Sequence, residues 1–376
     1  MKIALVTPYD WATPGGVNLH IAPLAERLKA AGNDVTIVAP SSRQERDQGC
    51  VTVIGESALG LPATGSVAKV SLSYDLGPRV KKLCAREQFD VVHVHEPFMP
   101  LLPFQFLRYS KATNIATFHA AREGGSRLYA YSKYIIKPWW GRLHGRIAVS
   151  GASLRLIGKH FASRYRIIPN GVDCGFFADS SPIAEFTDGK RNILFLGRLE
   201  KRKGLPFLLE AFALVKRDLP DTRLVVVGGD GGIRSICELY VERNRLADVV
   251  FTGYVPDEAK PRYFRTADIF CAPNTGGESM GIVLLEALSA GVPIVASRIE
   301  GFSEVLTEGR EGFLVEPRDS RALAGALKRL LSDQALRRKM GHEAQRTARR
   351  YDWGRVSTQI IDYYEECMAD RSQAHI

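Results

Sequence analysis

No run of apolar residues in this chain is long enough to cross a bilayer. The most apolar region, 281–296, is interrupted by Glu286 and Pro293, well short of the roughly 20 residues that a span requires. The N-terminal apolar run ends after four residues in MKIALVTPYD, so it predicts a first strand and not a secretion signal. Cysteine is sparse and scattered. The six residues at 50, 84, 174, 237, 271 and 367 include no C-x-x-C pair and read as reduced, structural thiols of a cytosolic protein. No basic run is interleaved with aromatics, which argues against nucleic acid as a partner. Acidic residues are outnumbered, leaving a formal net charge of +10, and such an excess points to an anionic partner such as a nucleotide diphosphate or an acidic lipid surface. Hydrophobic content of 45% with 24% charged residues over 376 positions fits a globular protein of two domains and excludes disorder.

Residues 2–7 form a β-branched run, Pro14-Gly15-Gly16 break it, and Ile21, Leu24, Leu28 and Ala31 recur at helical spacing. The order is strand, glycine loop, helix. The loop reads G-G-V-N-L-H where a dinucleotide fingerprint needs G-x-G-x-x-G, which argues against a dehydrogenase. Strands are predicted near 34–38, 90–95, 114–118, 145–149 and 165–168, and the alternation with helical patterns argues for a parallel sheet covered on both faces. Ligands gather at the carboxyl ends of such strands. His93 and His95 close one strand ahead of Glu96, and His119 closes another. Residues His93, His95 and Glu96 raise a metal site, but no helical His-x-x-x-His or cysteine partner accompanies them, and no protein-ligated metal is expected. His119, followed by Ala120 and Ala121, is placed to meet a substrate hydroxyl or phosphate, or is a satisfied structural histidine.

On a helix over 77–86, Val80, Leu83 and Cys84 make an apolar stripe, and Arg79, Lys82 and Arg86 a basic one with Lys81 at its flank. A solvated face explains the pattern. Adhesion to an anionic bilayer is the other reading, at roughly 1 kcal/mol for each cation. Trp139 and Trp140, among Lys137, Arg142 and Arg146, fit either interfacial anchoring or the core.

A fresh first strand, 192–197, begins the second half, with further strands near 223–228, 249–252, 268–272, 293–296 and 312–315. Its first loop, GRLEKRKG (197–204), places Arg198, Lys201, Arg202 and Lys203 between two glycines. One or two of these cations would offset the charge of a leaving diphosphate without a metal. Downstream, TGGESMGIVLLEAL (275–288) sets Glu278 in a glycine-flanked turn and Glu286 eight positions on, inside a helix. Gly276, Gly277 and Gly281 let the backbone approach a ligand, and free N–H groups at the helix start face phosphate oxygens. The last stretch, 319–366, is predicted helical, with Trp353, Val356, Ile360, Ile361 and Tyr364 on its apolar face.

With this first-domain glycine loop, the GR…K-G loop and the E-x7-E pair, the chain resembles a retaining glycosyltransferase of the GT-B fold, and most nearly the bacterial phosphatidylinositol mannosyltransferases. The resemblance spans nearly the whole chain, through PYD…PGGV near the start, TGSVAK at 64–69, VKK at 80–82, HEP at 95–97, FH at 118–119, IPNGVD at 168–173, LFLGR…RKG at 194–204 and GGESMGIVLLEA at 276–287. It implies an α/β protein of two Rossmann-like parallel-sheet domains facing a central cleft. An acceptor-binding domain over 1–170, with a C-terminal helix at about 356–370 returning to it, would be followed by a linker over 171–190 and a nucleotide-sugar-binding domain over 191–355.

Carried over by position, the resemblance implies that Arg198 and Lys203 bind the donor diphosphate, Glu278 holds the transferred sugar, and His119 lies near the sugar. Gly16 and the segment Ser279, Met280, Gly281 and Ile282 would approach the donor, Glu286 would hold the ribose, and Asp257 and Lys260 would line the base pocket. A carboxylate there accepts from guanine, which favours GDP-mannose as donor substrate, with no tightly bound cofactor. Tyr9, Asn18 and Lys69 would meet a phosphoinositol headgroup. Asn18 stands where a glutamine is expected, Ala120 where a threonine is, and Gly124 where a lysine is, with Arg122 in its place. The implied reaction is mannosyl transfer to the inositol of an anionic phospholipid by a peripheral protein at the cytoplasmic membrane face, with Arg79, Lys81, Lys82 and Arg86 as its membrane contacts. A UDP-sugar with inositol phosphate, diacylglycerol or a polysaccharide precursor as acceptor, and a sugar-nucleotide epimerase, stay open as alternatives.

Overall fold

The computed structural model describes residues 1–13, 15–42, 51–63, 66–71, 76–97, 102–121 and 137–373, the side chains of 56–63 and 66–71 excepted. Arg122 and the side chain of Lys69 therefore lie outside the described residues. The chain divides into two compact units, Met1–Gly171 with Trp353–Ile376, and Val172–Asp352.

The first unit is built on strands β1 (Lys2–Val6), β2 (Asp34–Ser41), β3 (Val51–Ala63), β4 (Ser66–Ser71), β5 (Val91–His95), β6 (Thr113–Phe118), β7 (Gly145–Ala148) and β8 (Arg166–Ile167), in the spatial order β4-β3-β2-β1-β5-β6-β7-β8. All neighbours pair in parallel except β3 and β4. The sequence reading had no strand over 51–71, because Gly55, Gly60 and Pro62 interrupt the pattern by which strands are recognised. Alternate residues of the central strands enter two apolar layers: Ala4, Val6, Val92 and Val94 one, Ile3, Leu5 and Val91 the other. The second layer is closed by helices Gly16–Ala30 and Trp353–Gln373, which bring Ile21, Leu24, Trp353, Val356, Ile360 and Tyr364 onto the sheet. Gly171 is needed under this helix, since a Cβ there would lie 2.3 Å from the Trp353 ring.

The second unit carries β9 (Arg191–Leu196), β10 (Thr222–Val227), β11 (Val249–Gly253), β12 (Ile269–Ala272), β13 (Ile294–Ser297) and β14 (Gly312–Val315), all parallel, in the order β11-β10-β9-β12-β13-β14. Residues 171–190, expected as a linker, contain helix Cys174–Ala178, and Phe177 and Phe186 are buried in this unit's core. The single helical stretch expected over 319–366 is three helices, Ser320–Ser332, Gln334–Ala348 and Trp353–Gln373. Asp333 interrupts it by accepting from Leu336 N–H as the N-cap of the second.

Candidate active site

In the second sheet the strand order reverses between β9 and β12, and ligands of such sheets gather at the carboxyl ends of the strands at this switch point. The loop after β9 is Gly197–Gly204, and that after β12 is Pro273–Gly281. They are tied together: Thr275 N–H donates to Arg202 O at 2.8 Å. Gly204 sits against Pro273 at a φ of +74°, where a Cβ would lie 1.9 Å from the Pro273 carbonyl oxygen. The basic loop and the glycine turn, 75 residues apart in the chain, thereby share one site.

Glu278 stands at its centre. Its Oε1 accepts from Arg202 Nη1 at 2.5 Å, Lys203 Nζ at 2.6 Å and Asn274 Nδ2 at 2.9 Å. Burial pushes the Glu278 carboxyl up, and Lys203 and Arg202 more than reverse this, so it titrates below the usual carboxylate value. Such a group contributes stability that is present above its unfolded value and is lost as pH falls through its depressed folded value. Urea unfolding should therefore show a stability deficit in Glu278→Gln that is full near neutrality and shrinks on acidification below about pH 4.3. A deficit unchanged down to pH 3 would mean that the ion pairs are not its source.

Glu200, almost fully buried, holds the two arginines of the loop. Its Oε1 accepts from Arg198 Nε at 2.9 Å and from Arg198 Nη2, and its Oε2 accepts from Arg202 Nε at 2.9 Å. Arg198 remains about half exposed and is the outermost cation of the loop's ion-pair network. Deeper in the unit, Lys260 Nζ lies 2.5 Å from Asp257 Oδ1 and 3.7 Å from Glu286 Oε1. Burial lowers the Lys260 amine and the two carboxylates raise it further, so it stays charged. For Glu286 the balance is opposite: burial raises the carboxyl more than Lys260 lowers it, and Lys203 also acts on it through charge. Of the donor residues expected from the resemblance, Arg198, Lys203 and Glu278 thus share one ion-pair network and Asp257, Lys260 and Glu286 another, both in the second unit, whereas Gly16 lies in the first.

The helix after the turn is Ile282–Ser289, with Gly276, Gly277 and Gly281 at φ of +138°, +73° and +76°. Nothing lies within 4 Å of where a Cβ would stand on Gly276 or Gly277, leaving room for a ligand to approach the backbone. Ser279 and Ile282 are half-buried. The Met280 side chain belongs to the core, so only its backbone is left for a ligand.

In the first unit, Gly16 opens helix Gly16–Ala30, again with no atom within 4 Å of a Cβ position. Asn18 is an internal brace: its Oδ1 accepts from Thr7 Oγ1 at 3.2 Å and its Nδ2 donates to Asp10 O at 3.0 Å. Burial, and then Glu96, push the nearby Tyr9 hydroxyl well above its ordinary value. The metal arrangement of His93, His95 and Glu96 is not assembled. His93 is satisfied by Tyr364 OH and Thr117 Oγ1, each at 2.6 Å. Glu96 Oε1 accepts from the backbone N–H of His119 and Ala120. Among the described residues, the histidines with ring nitrogens close enough to share an ion are His20, His95 and His119, within 4.8 Å of one another. His95 Nδ1 and His119 Nε2 are already paired with each other at 2.9 Å. Burial is the first cause of the lowered values of all these rings, taking His20 and His93 down to about 3 and His95 and His119 well below the ordinary value, with neighbouring imidazoles adding to it.

Residues 177–347 match the family described as Glycosyl transferases group 1, and residues 14–176 match Glycosyltransferase Family 4. A phosphatidyl-myo-inositol mannosyltransferase of Mycobacterium leprae (strain TN) is 38% identical over 379 residues, covering 100% of each chain. This chain belongs to the phosphatidyl-myo-inositol mannosyltransferase family. It is therefore a glycosyltransferase. The family member of that name in Mycolicibacterium smegmatis (strain ATCC 700084 / mc(2)155) is 39% identical over 97% of this chain and 94% of its own. The solved structure of sucrose-phosphate synthase from Thermosynechococcus elongatus superposes with a TM-score of 0.78 at 22% identity, over 98% of this chain and 99% of its own, and so shares the fold. The two parallel-sheet units are those expected of a GT-B enzyme.

Within this family member, sequence reasoning gave no role to Glu200 and left Arg202 as one of four loop cations. The signal was the single carboxylate, Glu200, set among the four cations of this loop, and the 3-10 turn Lys201–Lys203 that starts after it brings Arg202 back to it. On helix Leu76–Glu87, Leu76, Val80 and Leu83 are buried, and Arg79, Lys81, Lys82 and Arg86 are exposed. Arg79 donates to Val53 O at 3.1 Å, and Arg86 pairs with Glu87 at 2.6 Å. Trp140 is half-buried and stacks on Phe161 with centroids 4.4 Å apart, with Arg146 over its ring and its Nε1 donating to Ser163. Among the described residues no helix is long and apolar enough to cross a membrane.

Proposed function

We propose that this enzyme transfers mannose from GDP-mannose to the inositol of a phosphatidylinositol-like lipid, with retention of configuration. The observation that carries this reading is the 38% identity, end to end, with a phosphatidyl-myo-inositol mannosyltransferase. The donor diphosphate is assigned to Arg198 and Lys203 and to the backbone of 279–282, so that cationic and N–H groups meet the charge that develops as the sugar leaves. Glu278 uses one oxygen for its three protein donors and has a second to accept a sugar hydroxyl. Asp257 and Lys260 are assigned to the base and Glu286 to the ribose. Gly16 is assigned to the donor phosphates, and Tyr9, Asn18 and Lys69 belong to the acceptor side, with Arg122. His119 takes part in the transfer itself. The exposed cations Arg79, Lys81, Lys82 and Arg86 hold the enzyme at the cytoplasmic face of the membrane through anionic lipid.

The test is incubation of the purified enzyme with phosphatidylinositol liposomes and, in separate tubes, GDP-mannose, UDP-glucose or UDP-N-acetylglucosamine, with products identified by mass spectrometry. Mannosylated lipid from GDP-mannose alone is expected. Consumption of a sugar nucleotide without a lipid product would overturn the acceptor and leave the donor site standing. Glycolipid from a UDP-sugar would overturn the donor.

A further inference from the structure

His119 follows β6 and is held by two residues of the strand exit beside it, His95 and Glu96, that so far have no part in the reaction. We infer that both are positioning residues for His119, Glu96 fixing its backbone and His95 fixing its ring, so that His119 serves the transfer as a neutral hydrogen-bond donor through Nδ1. The inference rests on the reading that His119 takes part in glycosyl transfer.

Glu96 ends β5 in a left-handed conformation, φ +50°, which an L residue adopts only when its surroundings impose it. Its own N–H donates to Thr117 O at 2.9 Å, pinning it to β6. From there Oε1 accepts two successive N–H groups, of His119 at 2.6 Å and Ala120 at 2.7 Å, while the residue is only 3% exposed. Two short, charge-assisted bonds from adjacent amides determine the direction in which the chain leaves β6, and hence the direction of the His119 side chain.

The ring is oriented separately. His95 Nδ1 and His119 Nε2 are 2.9 Å apart, so one of them carries the shared hydrogen. His95 is fully buried, and its Nε2 has no hydrogen-bond partner among the described residues. A buried N–H without an acceptor is rarer and costlier than a bare acceptor nitrogen. His95 therefore carries its hydrogen on Nδ1 and donates to His119. His119, receiving a hydrogen bond at Nε2, must carry its own hydrogen on Nδ1. His20 and His93 stand near both rings, and buried imidazoles this close keep one another uncharged. The consequence is a fixed tautomer, with Nε2 closed as a proton acceptor and the hydrogen on Nδ1, where the hydrogen-bonded Asn170 side chain holds it until a sugar oxygen takes it over.

The test compares Glu96→Ala, Glu96→Gln and His119→Ala in the liposome assay, with kcat and donor KM measured separately, and reads the tautomer of His119 in the wild-type enzyme by NMR of ¹⁵N-histidine, its signal located by its loss in His119→Ala. Glu96→Ala is expected to lower kcat about a hundredfold, the scale set by misplacing a reacting group by about 1 Å, with donor KM little changed. Glu96→Gln should recover most of this, since its amide oxygen accepts the same two N–H groups. The ¹⁵N signals should show Nδ1 protonated and Nε2 bare. Wild-type kcat in Glu96→Ala, or no recovery in Glu96→Gln, overturns the backbone role, and a proton on Nε2 overturns the ring role. Should Glu96→Ala not fold, the glutamine variant and the tautomer decide. Full activity in His119→Ala would instead overturn the reading on which the inference rests.

Discussion

Lys203→Ala is expected to lower kcat/KM for glycosyl transfer by about 10²–10³, or about 2.7–4 kcal/mol of transition-state stabilisation. The chain should remain folded. Lys203 shares Glu278 Oε1 with Arg202 and Asn274, so its removal leaves the buried carboxylate with a cation and a neutral donor, at a stability cost of no more than about 2 kcal/mol. What disappears is the ammonium that a diphosphate would draw toward itself. The double replacement Arg202→Ala, Lys203→Ala is the contrast: with both cations gone Glu278 keeps only Asn274, and unpairing a buried charge costs about 3–5 kcal/mol. Steady-state kinetics on the single variant and urea unfolding on both separate lost chemistry from lost folding. A loss below tenfold in the single variant would remove Lys203 from the reaction.

Gly204→Ala should have the largest effect on stability. The position combines a left-handed φ of +74° with a Cβ site 1.9 Å from the Pro273 carbonyl oxygen, and that obstacle is backbone, unable to rotate away. To accept a methyl group the loops after β9 and β12 must separate, breaking the bond from Thr275 N–H to Arg202 O and pulling Arg202 and Lys203 off Glu278. A loss of about 4 kcal/mol or more is expected, together with loss of activity. Gly325→Ala is the control. It lies within helix Ser320–Ser332 with nothing within 4 Å of its Cβ site, and alanine there should stabilise by about 0.8–1 kcal/mol. Equal midpoints in urea for wild type and Gly204→Ala would mean that the two loops are not in the contact described.

Much of this was legible in the sequence because its signals are short-range. The β–α rhythm is a local periodicity, and it located every strand of the second sheet to within a residue or two. The glycines of 197–204 and 276–281 and the spacing of Glu278 and Glu286 sufficed to mark a phosphate-suited turn and to carry the family resemblance. Where local signals were weak the reading stopped short, as in β3 and β4 with their interrupting glycines and proline, and in 171–190, whose polar composition concealed Phe177 and Phe186 as core residues.

By itself, then, the sequence determined the α/β class, the candidate donor residues and the apolar stripe from Trp353 to Tyr364. The tertiary structure alone decided which charge neutralises which. Glu278 meets Arg202 and Lys203, and His119 meets His95 and Glu96, only because strand order sets β12 beside β9 and β6 beside β5. Spacing along the chain encodes neighbours within one helix turn or one strand repeat. A carboxylate and an ammonium 75 residues apart become neighbours only when two strands pair and one glycine lets their loops touch.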